Sequence, residues 1–196
     1  SQQIKTELAL VKSQVHPHFL FNTLNSVYVS AYEYGDDTTA DGIGKLSHLL
    51  RYMLYETNQA KVPLVNEVEY LKNYIALQEM RFGNDTEVAF NVEGDISDFV
   101  IAPMLLITLI ENAFKHGVSP AQKTSINIHL VMINKRLEFT VKNDQLKSRI
   151  KPTLEGNSGG IGLTNLKKRL MIIYPEKFTF KTMIEHKNFT ARLVLL

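Results

Sequence analysis

The sequence predicts an α+β fold, in which a helical first part is followed by a mixed β-sheet covered on one face by helices. Up to about residue 83, apolar residues recur every three or four positions, whereas beyond it they alternate with polar residues in short runs. A change from period 3.6 to period two marks a change from helices to strands. We therefore predict a helical region over residues 1–83 and an α/β sandwich over residues 84–196.

The first predicted helix carries the apolar seam of a helix bundle, with steps of three and four between Ile4, Leu8, Val11 and Val15. Pro17 interrupts it, because a proline inside a helix removes a backbone hydrogen bond and clashes with the preceding turn. The seam resumes out of phase at Leu20, Leu24, Val27 and Ala31. We expect this shift in phase to turn the His18 side chain away from the buried face of the helix.

Two more helices are predicted in the helical region. Residues 35–39 form a turn, and the next apolar stripe consists of Ile43, Leu46, Leu50 and Met53. Asn66 and Glu69 stand three apart, as in a capping box, ahead of a third helix that ends near Gly83. Such short helices cannot bury their stripes within one chain, so we predict a homodimer joined through a four-helix bundle.

The second region predicts a sheet interrupted by two helices. Strands are expected around residues 88–92, 126–132 and 137–141, with a hairpin turn over 134–136 and two closing strands. Pro103 is expected to open the first helix, and Gly117 to cap its end. A polar segment over 144–158 leads to the second helix, which is expected from about Thr164 to Tyr174.

Composition limits the possible partners. The chain has 22 basic and 20 acidic residues and a formal charge of +2, too near neutral for a bulk electrostatic grip on nucleic acid. It lacks cysteine and has no apolar run of about 20 residues, the length that a membrane span requires. Because it starts without methionine and runs directly into an amphipathic pattern, we expect a fragment of a longer protein.

Three clusters of residues could carry chemistry. Residues 14–25 place His18 and Asn22 one helical turn apart in an apolar helix, although a surface histidine beside a kink would look similar. Residues 111–117 combine an acid, an amide, a lysine and a histidine, which could equally form a polar surface face. Residues 159–163 form a glycine-rich stretch before a helix, suited either to phosphate or to an ordinary turn.

The order of these clusters resembles the LytS-type (LytS/YehU) sensor histidine kinases. The family's acceptor segment, Q-x-x-P-H-F-L-F-N-x-L-N, is intact over residues 14–25. The likeness continues through Tyr74, Gln78 and Arg81, the segment 111–117, the segment 160–163 and the segment 166–170. It therefore spans nearly the whole chain.

The resemblance implies a protein kinase that phosphorylates its own histidine from ATP and passes the phosphoryl group to an aspartate of a response-regulator receiver domain. It implies two-component signalling by a homodimer, and an ATP-binding domain of the fold shared by gyrase, Hsp90 and histidine kinases. No nucleic acid is expected as a partner. The chain would be the cytoplasmic portion of an inner- or plasma-membrane sensor, attached only through an upstream sensor region.

By this likeness, His18 is the phospho-acceptor, and His16 is its local competitor. Asn22 would act in the reverse, phosphatase direction. Phe19 stands where commoner histidine kinases have an acid, so the proton acceptor is not identified.

The resemblance also implies the nucleotide contacts. Asn112 would ligate Mg²⁺ held by the ATP phosphates, and Glu111 would orient a water or the magnesium shell. Contact with the phosphates is expected from Lys115, His116, Gly160, Gly162 and Leu163. Asn143 stands where related domains have an adenine-binding aspartate, and the glycine that follows it there is missing. An amide can still accept a hydrogen bond from the adenine amine, but without a charge.

Two other classes of function remain open. The chain could be an ATP hydrolase of the gyrase–chaperone type in which Glu111 activates water. It could also be a dimerisation and docking module that binds nucleotide poorly, as the asparagine at position 143 would allow.

Overall fold

The structure is a computed structural model that describes residues 17–119, 122–144 and 161–196. It divides into two compact units, with the boundary between Ala60 and Lys61. The helices are α1 (Pro17–Glu33), α2 (Asp37–Tyr55), α3 (Leu64–Phe82), α4 (Ile107–Gly117) and α5 (Ile161–Ile173), with short 3₁₀ turns at Glu56–Asn58 and Gly83–Asp85. The strands are β1 (Val62–Pro63), β2 (Thr86–Glu93), β3 (Val100–Ile101), β4 (Thr124–Ile133), β5 (Arg136–Asp144), β6 (Phe178–Glu185) and β7 (Asn188–Leu195).

The first unit contains the helical hairpin of α1 and α2. Gly35 adopts a φ of 72°, and the Asp36 carboxylate then accepts hydrogen bonds from the backbone N–H and the hydroxyl of Thr39 at 3.0 and 2.6 Å. These bonds lower the pKa of Asp36 and cap the helix that begins at Asp37. The turn predicted over residues 35–39 is therefore shorter than expected. The predicted helix from Ile4 and its kink lie outside the described residues.

Helix α1 leaves several of its apolar side chains exposed to solvent. It has no buried residue, and Phe19, Val27 and Tyr32 are 72%, 48% and 63% exposed. On the facing helix, the Arg51 guanidinium lies 5.0 Å from the centre of the Phe21 ring. The hairpin therefore presents an apolar surface that its own two helices do not cover.

The second unit is built on a mixed five-stranded sheet in the order β2-β4-β5-β7-β6. Strand β2 pairs with β4 in parallel, and the other neighbours pair antiparallel. Along β4, Ile126, Ile128 and Leu130 are buried and alternate with more exposed residues, as for a sheet with one covered face. The predicted α+β fold with a mixed sheet is confirmed.

The β4–β5 hairpin turns within two residues. Asn134 and Lys135 adopt φ angles of 49° and 64°, the left-handed pair that a tight two-residue hairpin needs. Arg136, predicted as part of the turn, is already the first residue of β5.

Helix α3 belongs to the second unit, together with the sheet. The predicted capping box is wrong, because the helix begins at Leu64 and the Leu64 N–H donates to the Phe99 carbonyl at 2.8 Å. Asn66 and Glu69 accordingly lie inside the helix. It ends at Gly83 as predicted, where φ is 62°. The functional boundary predicted at residue 83 stays a prediction.

Glu67 is a fully buried carboxylate on α3 that organises the loop before α4. Its two oxygens accept the backbone N–H groups of Met104, Leu105 and Leu106 at 3.0, 3.1 and 3.3 Å. The backbone of Met104 turns into the left-handed region, with φ of 57°. Pro103 therefore does not open the helix as predicted, because the left-handed backbone of Met104 interrupts it, and α4 starts at Ile107.

The same loop is held from its other side by α5. The Arg169 guanidinium donates to the carbonyls of Met104 and Pro103 at 3.1 and 2.5 Å. The Ala102 N–H donates to the Tyr174 hydroxyl at 2.8 Å. Residues 102–106 are thus fixed between α3 and the end of α5, which sets where α4 begins.

Within the three described ranges, no helix combines the length and the apolar character needed to cross a membrane.

Replacing Glu67 by alanine should destabilise the protein by about 3 kcal/mol, because it leaves three N–H groups without their acceptor in a buried loop. Urea denaturation of the full chain measures the free energy of unfolding. Glu69→Ala is the matched control, since Glu69 lies on the same helix but is exposed. Equal losses in the two variants would contradict this role of Glu67.

Candidate functional site

His18 lies in the first turn of α1 and is exposed. The Asn22 amide nitrogen is 3.3 Å from His18 Nδ1, so the predicted contact between the two side chains is present. Neighbouring side chains on the helix bond elsewhere: Thr23 donates to the Phe19 carbonyl at 2.9 Å, and Ser26 donates to the Asn22 carbonyl at 3.0 Å. His16 lies outside the described residues.

Helix α4 presents the second predicted cluster in the other compact unit. Its apolar side is buried and includes Leu109, Ala113 and Phe114. Glu111 and Lys115 are exposed, whereas Asn112 and His116 are half-buried. The helix therefore packs through one side and offers four polar side chains on the remainder, in agreement with the sequence pattern.

Glu111 lies close to two tyrosines of α3. Burial, and secondly the Glu111 carboxylate, raise the pKa values of Tyr70 and Tyr74. The pKa of Glu111 is itself raised, because surrounding protein removes part of its water. A carboxyl with a raised pKa is a better proton acceptor than an ordinary glutamate.

Phe114 fixes α4 against α3 on the side next to these polar groups. Its ring meets Tyr74 edge-on at 6.0 Å and stacks on Phe82 at 6.1 Å between ring centres. The Tyr74 hydroxyl is also hydrogen-bonded by the Gln78 side chain. Tyr74 of α3, one of the residues that carry the family resemblance, therefore takes part in the contact that positions α4. Gln78, another of these residues, lies next to that contact.

Asn143, near the end of β5, is 2% exposed. Its amide nitrogen donates to the Asp144 carbonyl at 2.9 Å, which identifies the other amide atom as the oxygen. That oxygen is buried and makes no hydrogen bond within the described residues. A buried acceptor without a donor calls for a ligand or a water.

Gly117 is the residue of α4 that meets Asn143. A Cβ at position 117 would lie 2.6 Å from Asn143 Nδ2 and 2.7 Å from Asn143 Cβ. Glycine is therefore required here by close approach and not as the predicted cap, because the helix continues through Gly117 and its C-cap is Val118. The contact brings the polar end of α4 and the free oxygen of Asn143 together.

Asp144 holds the adjacent strand end. Its Oδ2 accepts from the backbone N–H of Ser125 at 2.7 Å and from the Ser125 hydroxyl at 3.3 Å. This ties the end of β5 to the start of β4 beside Asn143.

The glycine-rich stretch is described only in part. Helix α5 includes Ile161, so Gly162 and Leu163 lie in its first turn and not in a loop before Thr164 as predicted. Gly162 is exposed, and a Cβ there would lie 3.8 Å from Thr108 of α4. Leu163 is buried, which makes it a packing residue of α5. Gly160 lies outside the described residues.

The sequence-based prediction missed two structural roles, the buried carboxylate of Glu67 and the close approach of Gly117, which was predicted only as a helix cap. Glu67 interrupts the apolar stripe of α3 formed by Leu64, Val68, Leu71 and Ile75, and an acid on such a stripe is a recognisable sign of a buried carboxylate. The second is Gly117, whose approach to a side chain 26 positions away has no local sequence sign. The predicted residues divide between the two compact units, with His18 and Asn22 in the first and the others in the second.

The chain is similar to proteins of one family and to solved structures of one fold. Residues 6–86 match the profile of the histidine kinase family. The sensor histidine kinase YpdA of Escherichia coli is 29% identical over 178 residues, which cover 88% of this chain and 31% of that protein. The sensor protein LytS of Bacillus cereus is 28% identical over 178 residues, covering 86% and 30%. The chain therefore spans about a third of the length of these relatives.

Among solved structures, the histidine kinase domain of the blue-light activated kinase from Erythrobacter litoralis superposes with a TM-score of 0.52. It is 16% identical, and the match covers 99% of this chain and 92% of that domain. At this identity the likeness concerns the fold alone, which is that of a histidine kinase domain.

Residues 6–86, which include the acceptor segment, thus match the histidine kinase family, and the fold is that of a histidine kinase domain. The similarity to YpdA and LytS and the intact residues 17–25 are consistent with the LytS-type sensor kinases within that family.

Gly117→Ala should lower the free energy of unfolding by about 2 kcal/mol, because the new Cβ overlaps the Asn143 side chain. Asn143→Gly should relieve the overlap, because it removes both Nδ2 and Cβ of residue 143, so the double variant should lose less than the sum of the single variants. Urea denaturation of all four proteins completes the cycle. Gly44→Ala is the control, since a Cβ there meets no atom within 4 Å. Strictly additive losses would contradict the contact.

Proposed function

We propose that this chain phosphorylates itself on His18 with ATP and passes the phosphoryl group to an aspartate of a response-regulator receiver domain. The observation that carries the proposal is an exposed histidine, inside the intact acceptor segment, on the same chain as a histidine kinase fold. An exposed imidazole suits this role, since its neutral form has a free ring lone pair near pH 7.

The residues around Asn143 fit the adenine base. Its buried Oδ1 lacks a donor among the described residues, and the adenine amine is a donor of matching chemistry. The bond from Nδ2 to the Asp144 carbonyl holds the oxygen in the accepting orientation. We infer that Asn143 selects adenine through this one neutral hydrogen bond, in place of the charged bond of related domains.

The polar side of α4 supports a phosphate site. Asn112 and His116 are four residues apart, and Lys115 adds a cation on the same helix. Mg²⁺, ligated by Asn112 and by the ATP phosphates, would neutralise charge on the transferred group. Lys115, His116 and the backbone of Gly160 and Gly162 would hold the phosphate chain, and Leu163 would support that segment from within the core.

The transfer itself requires little from the protein beyond positioning. The lone pair of a His18 ring nitrogen forms the N–P bond as the bond from the γ-phosphorus to the ADP oxygen breaks, and ADP leaves with that electron pair. Glu111, with its raised pKa, would orient water or the magnesium shell. Asn22 would assist the reverse, phosphatase direction.

A second copy of the chain is the proposed partner of the helical hairpin. The uncovered Phe19, Val27 and Tyr32 of α1 support pairing of two hairpins into a four-helix bundle. We assign residues 1–83 to dimerisation and phospho-acceptance, and residues 84–196 to ATP binding. Membrane attachment through an upstream sensor region is part of the same proposal.

Incubation with γ-labelled ATP and Mg²⁺ should label wild-type protein on an acid-labile, base-stable bond. His18→Gln should abolish the label and His16→Gln should retain it. Chelation of Mg²⁺ should also remove it. Label that persists in His18→Gln and disappears in His16→Gln would contradict the assignment. Phosphate release that is unaffected by His18→Gln would favour an ATP hydrolase.

Asn143→Ala should weaken ATP binding about five-fold, the effect of losing one hydrogen bond. Inosine triphosphate, which has a carbonyl in place of the adenine amine, should bind wild type more weakly than ATP does. In Asn143→Ala, the difference between the Kd values for ATP and inosine triphosphate should be smaller. Calorimetry on the full chain measures both Kd values, with exposed Asn91→Ala as the control on the same sheet. An unchanged preference in Asn143→Ala would contradict the adenine contact.

A further inference from the structure

The contact between Asn22 and His18 determines which ring nitrogen of the histidine can attack. The amide nitrogen of Asn22, 3.3 Å from Nδ1, can only donate a hydrogen bond. Nδ1 must therefore accept, so a neutral ring in this arrangement carries its proton on Nε2. The outer nitrogen then has no lone pair in the ring plane with which to attack phosphorus.

An asparagine, unlike an acid, can reverse this assignment. The Asn22 side chain makes no other hydrogen bond within the described part of the chain, because Ser26 bonds to the Asn22 main-chain carbonyl. Rotation of the amide by half a turn would thus break no further hydrogen bond. It would present Oδ1 to Nδ1–H and leave the lone pair on Nε2.

We propose that Asn22 is a reversible tautomer selector for His18, a positioning residue in the forward reaction, and this inference rests on the proposed function. The amide orientation in the structure holds the resting Nε2–H form. The reversed amide holds the reactive Nδ1–H form.

The step balances without an acidic neighbour. In the reactive form, the Nε2 lone pair forms the N–P bond while the donor's P–O bond breaks and ADP keeps its electron pair. The ring is then a phosphorylated imidazolium that still carries Nδ1–H, hydrogen-bonded to Asn22 Oδ1. Water removes that proton afterwards. No base is needed at Phe19, where the chain has none.

The test uses the full chain with ¹⁵N-labelled histidine, in which the His18 signals are identified by their loss in His18→Gln. In neutral wild-type protein, Nε2 should carry the proton. In Asn22→Asp, whose carboxylate can only accept, the proton should move to Nδ1. An unchanged tautomer in Asn22→Asp overturns the proposal.

Rates are measured with phosphoramidate, a small phosphoryl donor that needs no nucleotide site. Asn22→Asp should react about five-fold faster than wild type, by the effect of one hydrogen bond. Asn22→Leu removes the bond that holds the resting form without supplying the bond that holds the reactive form, so its rate should lie between the two. Ser30→Asp adds the same charge to the same exposed helix, outside the acceptor segment, and should match wild type. A rise in Ser30→Asp equal to that in Asn22→Asp overturns the proposal.

The proposed kinase activity and the proposed tautomer selection can fail independently of each other. If phosphoramidate gives the expected order but ATP labels no variant, tautomer selection stands and the proposed ATP-dependent kinase fails. If ATP labels His18 equally in wild type, Asn22→Asp and Asn22→Leu, the kinase stands and tautomer selection fails.

Discussion

The second unit depends on one carboxylate. Glu67 is entirely removed from solvent and accepts three consecutive backbone N–H groups. A buried charge is costly unless it is fully hydrogen-bonded, and N–H groups that enter a core need acceptors for the same reason. The carboxylate and the three N–H groups satisfy each other, so the loop before α4 takes one conformation. That loop in turn determines where the polar side chains of α4 lie.

The candidate nucleotide site follows from this placement. Phe114 packs α4 against α3, and Gly117 lets the end of α4 reach the side chain of Asn143. A larger residue at position 117 would separate the polar end of α4 from the buried side chain of Asn143. Packing contacts on one side of α4 thus determine where the candidate site lies, while the polar side chains of α4 lie outside these contacts. This is the usual division between a rigid scaffold and the functional groups it presents.

Much of the fold is readable from the sequence because its signals are local. Alternation in β4 and β5, the left-handed turn between them, and the glycine after α3 each arise from neighbouring residues. The start of α4 was misplaced because Met104, directly after the proline, adopts a left-handed backbone that breaks a helix begun there. The Met104 N–H bonds to Glu67, which lies 37 positions earlier in the sequence, so the residues next to Met104 do not signal this contact.

The candidate residues show the same division. The contact of Asn22 with His18 follows from helical spacing and was predictable, whereas the orphaned oxygen of Asn143 depends on the Asp144 carbonyl and on burial. Gly162 was expected in a loop, yet it lies in the first turn of α5. Spacing alone does not reveal where a helix stops, because that depends on which partners its end groups find.

Residues 102–106 are held from two sides, which limits how the surrounding helices can move. Glu67 of α3 binds the N–H groups of this segment, Arg169 of α5 binds its carbonyls, and α4 continues directly from it. The three helices are therefore attached to a single stretch of peptide. Sliding α3 or α4 alone would remove the donors of the buried Glu67 carboxylate, and sliding α5 alone would break the bonds from Arg169 to the loop carbonyls. We therefore expect any rearrangement over the sheet to move the three helices as one rigid group.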